Sequence, residues 1–289
     1  MADFAAPAVP AARASGAGRS LKTIAICSGK GGVGKTNVSV NLAVALAAMG
    51  RQVMLLDADL AMANVNVMLG VRSRTHLGHV LDGEVDLEDI IYTGPEGIQL
   101  VPASSGVSRL ATLSTMECAG LIGAFSALNR PLDLFLVDVA AGVGESVVMF
   151  TRAVQDVVVV ICDEPASLTD AYALIKVLAT EHRVGRFHIL PNMVGGDEHG
   201  RALFNKLANV CRKYLDVRLS YMGAIPQDDY LRKAVRAQKP VVVAYPGAPS
   251  ARAFRQLAAY ADRLRREPGN SGGVEFFIER IIAEAEGAG

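Results

Sequence analysis

The 289-residue chain has no tryptophan, only four cysteines, and no surplus of either charge: 29 basic residues stand against 29 acidic ones. Each shortage excludes something. Zero formal charge argues against a protein that is basic all over, as a general nucleic-acid binder would be, while leaving room for a local patch. Cys27, Cys118, Cys162 and Cys211 are scattered without a C-x-x-C pair. That spacing fits neither a disulfide framework nor a zinc site, and it suits a reducing cytosol. No apolar run approaches the ~18 residues that a membrane-spanning helix needs. What is plentiful is apolar side chain: 51% of residues are hydrophobic, ample for a buried core.

The first twenty residues differ from the rest, being rich in Ala, Pro and Gly. Asp3 stands where a targeting peptide carries basic residues, and Pro7 and Pro10 interrupt any apolar stretch. Residues 1–21 therefore read as a disordered extension. From Lys22 onward, short β-branched runs at 23–28, 52–57, 98–102, 132–138, 156–162, 186–192 and 220–225 alternate with longer segments. Helical periodicity marks 37–49, 115–128, 167–181, 198–214 and 251–266. Runs such as VVVVIC at 157–162 are apolar on both faces, as strands covered by helices on two sides must be. The expectation is an α/β fold: a doubly wound, mostly parallel sheet with helices on both faces. Residues 22–267 form one such domain. A Pro/Gly/Ser/Asn-rich break then opens 268–289, read as a flexible linker and a C-terminal amphipathic helix.

The most informative stretch is Gly29-Lys30-Gly31-Gly32-Val33-Gly34-Lys35-Thr36, directly after one strand and before a helix. It satisfies G-x-x-x-x-G-K-[ST] in the context that motif requires. The glycines let backbone N–H groups converge on phosphate oxygens, and the helix N-terminus adds partial positive charge. Lys35 reaches the β- and γ-phosphates, and the Thr36 hydroxyl ligates Mg²⁺. Two further runs end in acids, Asp57-Ala58-Asp59 and Asp138 with Gly142 four residues on. In an open parallel sheet, ligands collect at these carboxyl ends of the strands.

With Lys30 in place, the loop resembles the deviant phosphate-binding loop of the MinD/ParA superfamily, and the resemblance runs over nearly the whole chain beyond residue 21. The segments that carry it are 28–47, 53–70, 138–148, 162–176 and 275–282. The later ones, above all TDAYALIK at 169–176, look closest to the FlhG/FleN branch of flagellar-number regulators. The resemblance implies an ATPase with ATP and Mg²⁺ as cofactors and Lys30, Lys35 and Asp59 as catalytic residues. Lys30 crosses a dimer interface to the partner's nucleotide, and Asp59 orients or deprotonates the attacking water. It implies a nucleotide site of Gly31, Gly32, Val33, Gly34, Lys35, Thr36, Asn37, Gly142, Glu164, Asn192 and Pro226. Thr36, Asp57 and Asp138 then belong to the Mg²⁺ shell. Gly142 offers its N–H to the γ-phosphate, and Asn192 and Pro226 line the adenine pocket. Asn192-Met193-Val194 is not the N-K-x-D pattern of guanine sites, which favours ATP over GTP.

By the same resemblance, Glu164 and Asp170 lie near the dimer interface, with a polar cap on the following helix as their plainer reading. The implied partners are a second copy of the chain, a flagellar transcriptional activator and a signal-recognition-type flagellar GTPase. The implied location is the cytoplasm, with peripheral membrane or polar attachment. Phe276, Phe277, Ile278, Ile281 and Ile282 make an apolar stripe for membrane contact or for docking on the domain itself. Glu275, Glu279, Glu284 and Glu286 outnumber Arg280 there, so anionic lipid repels the polar face. The N-terminal extension lacks the DQAxxLR-type helix with which some relatives stimulate the partner GTPase. A ParA-type DNA-partition ATPase is the alternative, its candidate patch being Arg252, Arg255, Arg263, Arg265 and Arg266. The chain's balanced charge argues against DNA as a partner. An iron–sulfur member of the superfamily needs bridging cysteines shortly after switch II or as a C-x-x-C pair, and residues 138–150 contain none.

Overall fold

The computed structural model describes residues 21–59, 63–103, 114–264 and 276–277. Strand β1 (Lys22–Ser28) leads through the phosphate loop into helix α1 (Lys35–Ala48). After β2 (Val53–Ala58) come the short helices α2 (Val65–Met68) and α3 (Leu77–Leu81), then β3 (Tyr92–Thr93) and β4 (Gln99–Val101). Next follow α4 (Thr115–Ser126), β5 (Leu134–Ala141), α5 (Glu145–Arg152), β6 (Asp156–Ile161), α6 (Pro165–Thr180), β7 (Arg186–Val194) and α7 (Asp197–Tyr214). The remaining elements are β8 (Arg218–Tyr221), β9 (Ile225–Pro226), α8 (Asp229–Arg236), α9 (Val241–Ala244) and α10 (Pro249–Arg263).

The sheet order is β3-β4-β2-β5-β1-β6-β7-β8, with β9 extending the end of β7. Every pairing is parallel except β3 with β4. This is the doubly wound architecture expected from two-faced apolar strands. β2 and β6 are buried along their whole length and β1 from Thr23 onward, because each face carries a helical layer. One apolar cluster packs α4, α5, α6 and α7 against one face, and the other packs α1 and α10 against the opposite face. α1 is buried almost all round, so it shows little of the amphipathic pattern of a surface helix.

Four differences from the sequence reading have physical reasons. The predicted strand 220–225 is two strands, β8 and β9, broken at Gly223, whose φ of +128° interrupts the extended chain. α10 ends at Arg263, so Arg265 and Arg266 lie outside the described residues. Leu21 belongs to the domain, being fully buried. The boundary drawn at 267 also fails to separate the tail. Phe276 and Phe277 form a turn and are fully buried in the domain's larger cluster, against Phe125, Phe135 and Phe150. The Phe276 N–H donates to the Ala153 carbonyl at 2.9 Å, and the Phe277 N–H to Ser126 Oγ at 2.8 Å. Ile278, Ile281 and Ile282, and the rest of the predicted tail helix, lie outside the described residues. So do the predicted N-terminal extension up to residue 20 and the linker.

Candidate functional site

The loop between β1 and α1 sits at the carboxyl end of the sheet's centre, where the strand order changes direction. Gly32 and Gly34 take φ of +82° and +86°, the left-handed region where glycine is unstrained. A Cβ on Gly29 would meet the Asp170 backbone at 2.2 Å, so α6 packs directly onto the loop. Around the loop lies a cavity of about 450 Å³, lined by Gly31, Gly32, Gly34, Lys35, Thr36 and Asp59 among others. A second cavity of about 520 Å³ meets it at Gly34 and Asn37, with Glu164, Asn192, Met193 and Pro226 on its walls. A phosphate-sized recess thus joins a base-sized one. At the junction Asn37 Oδ1 is buried without a hydrogen-bond partner among the described residues.

The carboxylates converge as the sequence predicts. Asp57 and Asp138 are directly opposite each other in the β2–β5 register. Lys35 Nζ lies 3.7 Å from Asp138 Oδ1 and 3.9 Å from Asp59 Oδ2. Asp57 accepts backbone N–H groups from Asp59, Asn64 and Val65 at 3.0–3.2 Å, which folds the following loop around it. Burial, then the neighbouring Asp138, pushes the Asp57 acid well above the usual carboxylate range. Burial raises Asp138 too, against the pull of Lys35 and the Ser39 and Thr36 hydroxyls. Asp138 Oδ2 is buried with no hydrogen-bond partner among the described residues. Two buried acids, one spare oxygen and a single ammonium leave negative charge uncompensated. A hard divalent cation with oxygen ligands fits that donor set.

Ser39 is a residue that sequence reading missed. It is fully buried, and its hydroxyl donates to Asp138 Oδ1 at 2.8 Å. Its signal was its place three residues after Thr36, on the same helix face. Met193 is a second omission, left-handed at φ +57° and 41% exposed on the wall of the base-sized cavity.

Three predicted residues are engaged elsewhere in this state. The Gly142 N–H donates to the Ser28 carbonyl at 2.9 Å, so it is not offered to a phosphate. The Asn192 amide donates to the Val33 carbonyl at 2.8 Å, tying β7 to the phosphate loop. The Lys30 ammonium is hydrogen-bonded to the Glu164 carboxylate of its own chain, which raises the lysine's pKa. Glu164 is the N-cap residue of α6 but its side chain makes no cap hydrogen bond, so the polar-cap reading fails for it. All four cysteines are buried, two on or beside strands and two in helices.

Comparison with known proteins agrees with this geometry. A family model described as "ParA: NUBPL iron-transfer P-loop NTPase" matches residues 20–261. The chain is 50% identical to the antiactivator FleN of Pseudomonas aeruginosa over 262 residues, covering 91% of this chain and 94% of that protein. It is 36% identical over 221 residues to the flagellum site-determining protein YlxH of Helicobacter pylori, covering 76% and 74% respectively. The septum site-determining protein MinD of Pyrococcus horikoshii, solved with Mg-ADP, superposes with a TM-score of 0.68 at 30% identity. The match covers 84% of this chain and 96% of that one. The chain belongs to the MinD/ParA family of P-loop NTPases and is an ATPase that uses Mg²⁺.

Proposed function

We propose that this ATPase is an ATP-dependent dimerising switch that restrains flagellar number. The observation that carries the reading is 50% identity, over 91% of the chain, to the antiactivator FleN, alongside 36% identity to a flagellum site-determining protein. In this reading Lys35 leaves Asp59 and Asp138 for the β- and γ-phosphates, and Asp59 is freed to hold the attacking water. Thr36, Asp57 and Asp138 hold Mg²⁺, with Ser39 fixing the Asp138 rotamer. When bound, the cation neutralises charge on the phosphate oxygens. Asn37, Asn192, Met193 and Pro226 enclose the base; their common cavity supports this.

Dimerisation requires Lys30 to let go of Glu164 and reach the partner's nucleotide. Gly142 must likewise leave Ser28 before its N–H meets a γ-phosphate. Those two bonds describe a resting monomer, and breaking both is what ATP accomplishes. The flagellar transcriptional activator and the signal-recognition-type GTPase are the partners this branch implies, in the cytoplasm or at the inner membrane face. Membrane contact through the tail requires Phe276 and Phe277 to leave the core first. DNA partition is less well supported, because Arg252 and Arg255 each spend a donor on a carbonyl, of Gly247 and Pro246, and the chain carries no net positive charge.

Counting flagella per cell after deletion of the gene tests the proposal. The expected result is an increased number. A normal count overturns the flagellar role and leaves the ATPase intact.

A further inference from the structure

A cavity of about 700 Å³ lies at the sheet edge formed by β8, next to the base-sized cavity but distinct from it. One wall is a single face of α10 carrying Arg252, Gln256, Tyr260 and Arg263. Eleven residues separate the first and last of these, so the groove extends about 16 Å along the helix axis. The opposite wall holds Arg201 and Tyr221, and apolar side chains such as Met222 and Leu257 lie between.

Charge in the groove is of one sign. Three guanidiniums line it against one carboxylate, Asp197. That carboxylate is already engaged on both oxygens, by the Tyr221 hydroxyl at 2.7 Å and by Arg201 Nε at 2.7 Å. The Arg201 guanidinium also stacks over the Tyr221 ring at 4.5 Å. Tyr260 is held from behind by a buried relay through the sheet. His188 Nε2 donates to Asp156 Oδ1 at 3.0 Å, which leaves Nδ1, at 3.1 Å, to accept from the Tyr260 hydroxyl. The two tyrosines and Arg201 are therefore locked by secondary bonds, as side chains of a recognition site are.

We propose that this groove binds an extended acidic peptide segment of a partner protein. The inference stands whether or not that partner is flagellar. A strand rises about 3.3 Å per residue, so about five residues span the groove from Arg252 to Arg263. Arg263 at one end takes a carboxylate in bidentate fashion, Arg252 at the other takes one with the N–H groups left beside its bond to the Gly247 carbonyl, and the tyrosine faces take side chains between them. Duplex DNA is the poorer fit, because the cations line a recess with an apolar floor instead of projecting from a surface. Pro226 lines both this groove and the base-sized cavity, so the segment sits beside the nucleotide without sharing its site.

The test is fluorescence anisotropy of fluorescein-labelled hexaglutamate with the full chain in Mg-ADP. The double variant Arg252→Glu/Arg263→Glu weakens binding by at least about tenfold, while Arg212→Glu/Lys213→Glu on the far end of α7 leaves it unchanged. Arg263→Glu alone, whose side chain forms no ion pair among the described residues, weakens it by about threefold and covers the case in which the double variant misfolds. Labelled-ADP affinity stays constant throughout. The proposal is overturned if hexaglutamate fails to bind below about 1 mM, or if Arg263→Glu leaves its affinity unaltered. A duplex of about 20 base pairs whose affinity falls in parallel would make the groove a nucleic-acid site instead. A rise of about tenfold on deleting residues 278–289 would make the chain's own acidic tail the occupant.

Discussion

Gly34 is confined to glycine from two directions. Its φ of +86° is left-handed, and a Cβ there would stand 2.4 Å from Asn192 Nδ2. Asn192 has little room to retreat, since its amide serves the Val33 carbonyl and its Oδ1 accepts the Met193 N–H. Gly34→Ala costs about 1–2 kcal/mol in backbone strain alone. Pushing Asn192 aside opens both cavities at their junction. Calorimetry with Mg-ADP should show affinity reduced by more than about tenfold, and unchanged affinity would contradict this account of the loop. At this scale the glycines and Lys35 were legible because a contiguous motif carries them, and the acids because each follows an apolar strand run. The bonds of Ser39 to Asp138 and of Lys30 to Glu164 were not. They join residues 99 and 134 positions apart, and no local pattern encodes such a distance.

At the scale of elements, α10 is pinned to the start of β2 by a bidentate pair. Arg51 Nε and Nη2 each lie 2.7 Å from an Asp262 oxygen, and Lys22 Nζ donates to the Asp262 carbonyl. The Arg51 hydrogen bonds hold the Asp262 carboxyl below its usual value of 3.8. A depressed folded value means stability that is complete above about pH 5 and is lost as pH falls below 3.8 through the lower folded value. Arg51→Ala should lower stability at neutral pH by about 1–2 kcal/mol and flatten this acid limb. Urea melts from pH 7 to pH 3 check both, and parallel curves for the two proteins would deny the pair its role.

The strands were legible for a related reason: two-faced apolar runs such as 157–162 have few alternatives in a protein of this size. α8 escaped notice, because DYLRKAVR is short, buries only Ala234 fully and is half charged. The break between β8 and β9 escaped too, since Gly223 by itself does not reveal a left-handed turn.

Across the whole molecule, Phe276 and Phe277 are part of the core. Phe276 packs with ring centroids 4.8 Å from Phe135 and 5.7 Å from Phe125, and the Phe277 ring lies 5.2 Å from Phe135. These contacts bridge α4, β5 and α5, and α5 begins three residues after Gly142. Deleting a fully buried phenylalanine leaves a cavity, so Phe276→Ala should destabilise the protein by about 3–5 kcal/mol in a denaturant melt. A change below about 0.5 kcal/mol would mean the ring is not packed there in solution. The apolar stripe was legible as a docking candidate. Its destination was not, because its aromatic partners on α4, β5 and α5 lie far upstream of it in sequence.

The central claim, that ATP converts a resting monomer into a dimer through Lys30, belongs to this same scale. Light scattering on Asp59→Ala, which retains ATP by slowing its hydrolysis, tests it most directly. The account predicts the 30.4 kDa monomer with Mg-ADP and about twice that mass with Mg-ATP, with Lys30→Ala in the same background remaining a monomer in both. The same mass with either nucleotide, or a dimer that survives Lys30→Ala, would contradict it.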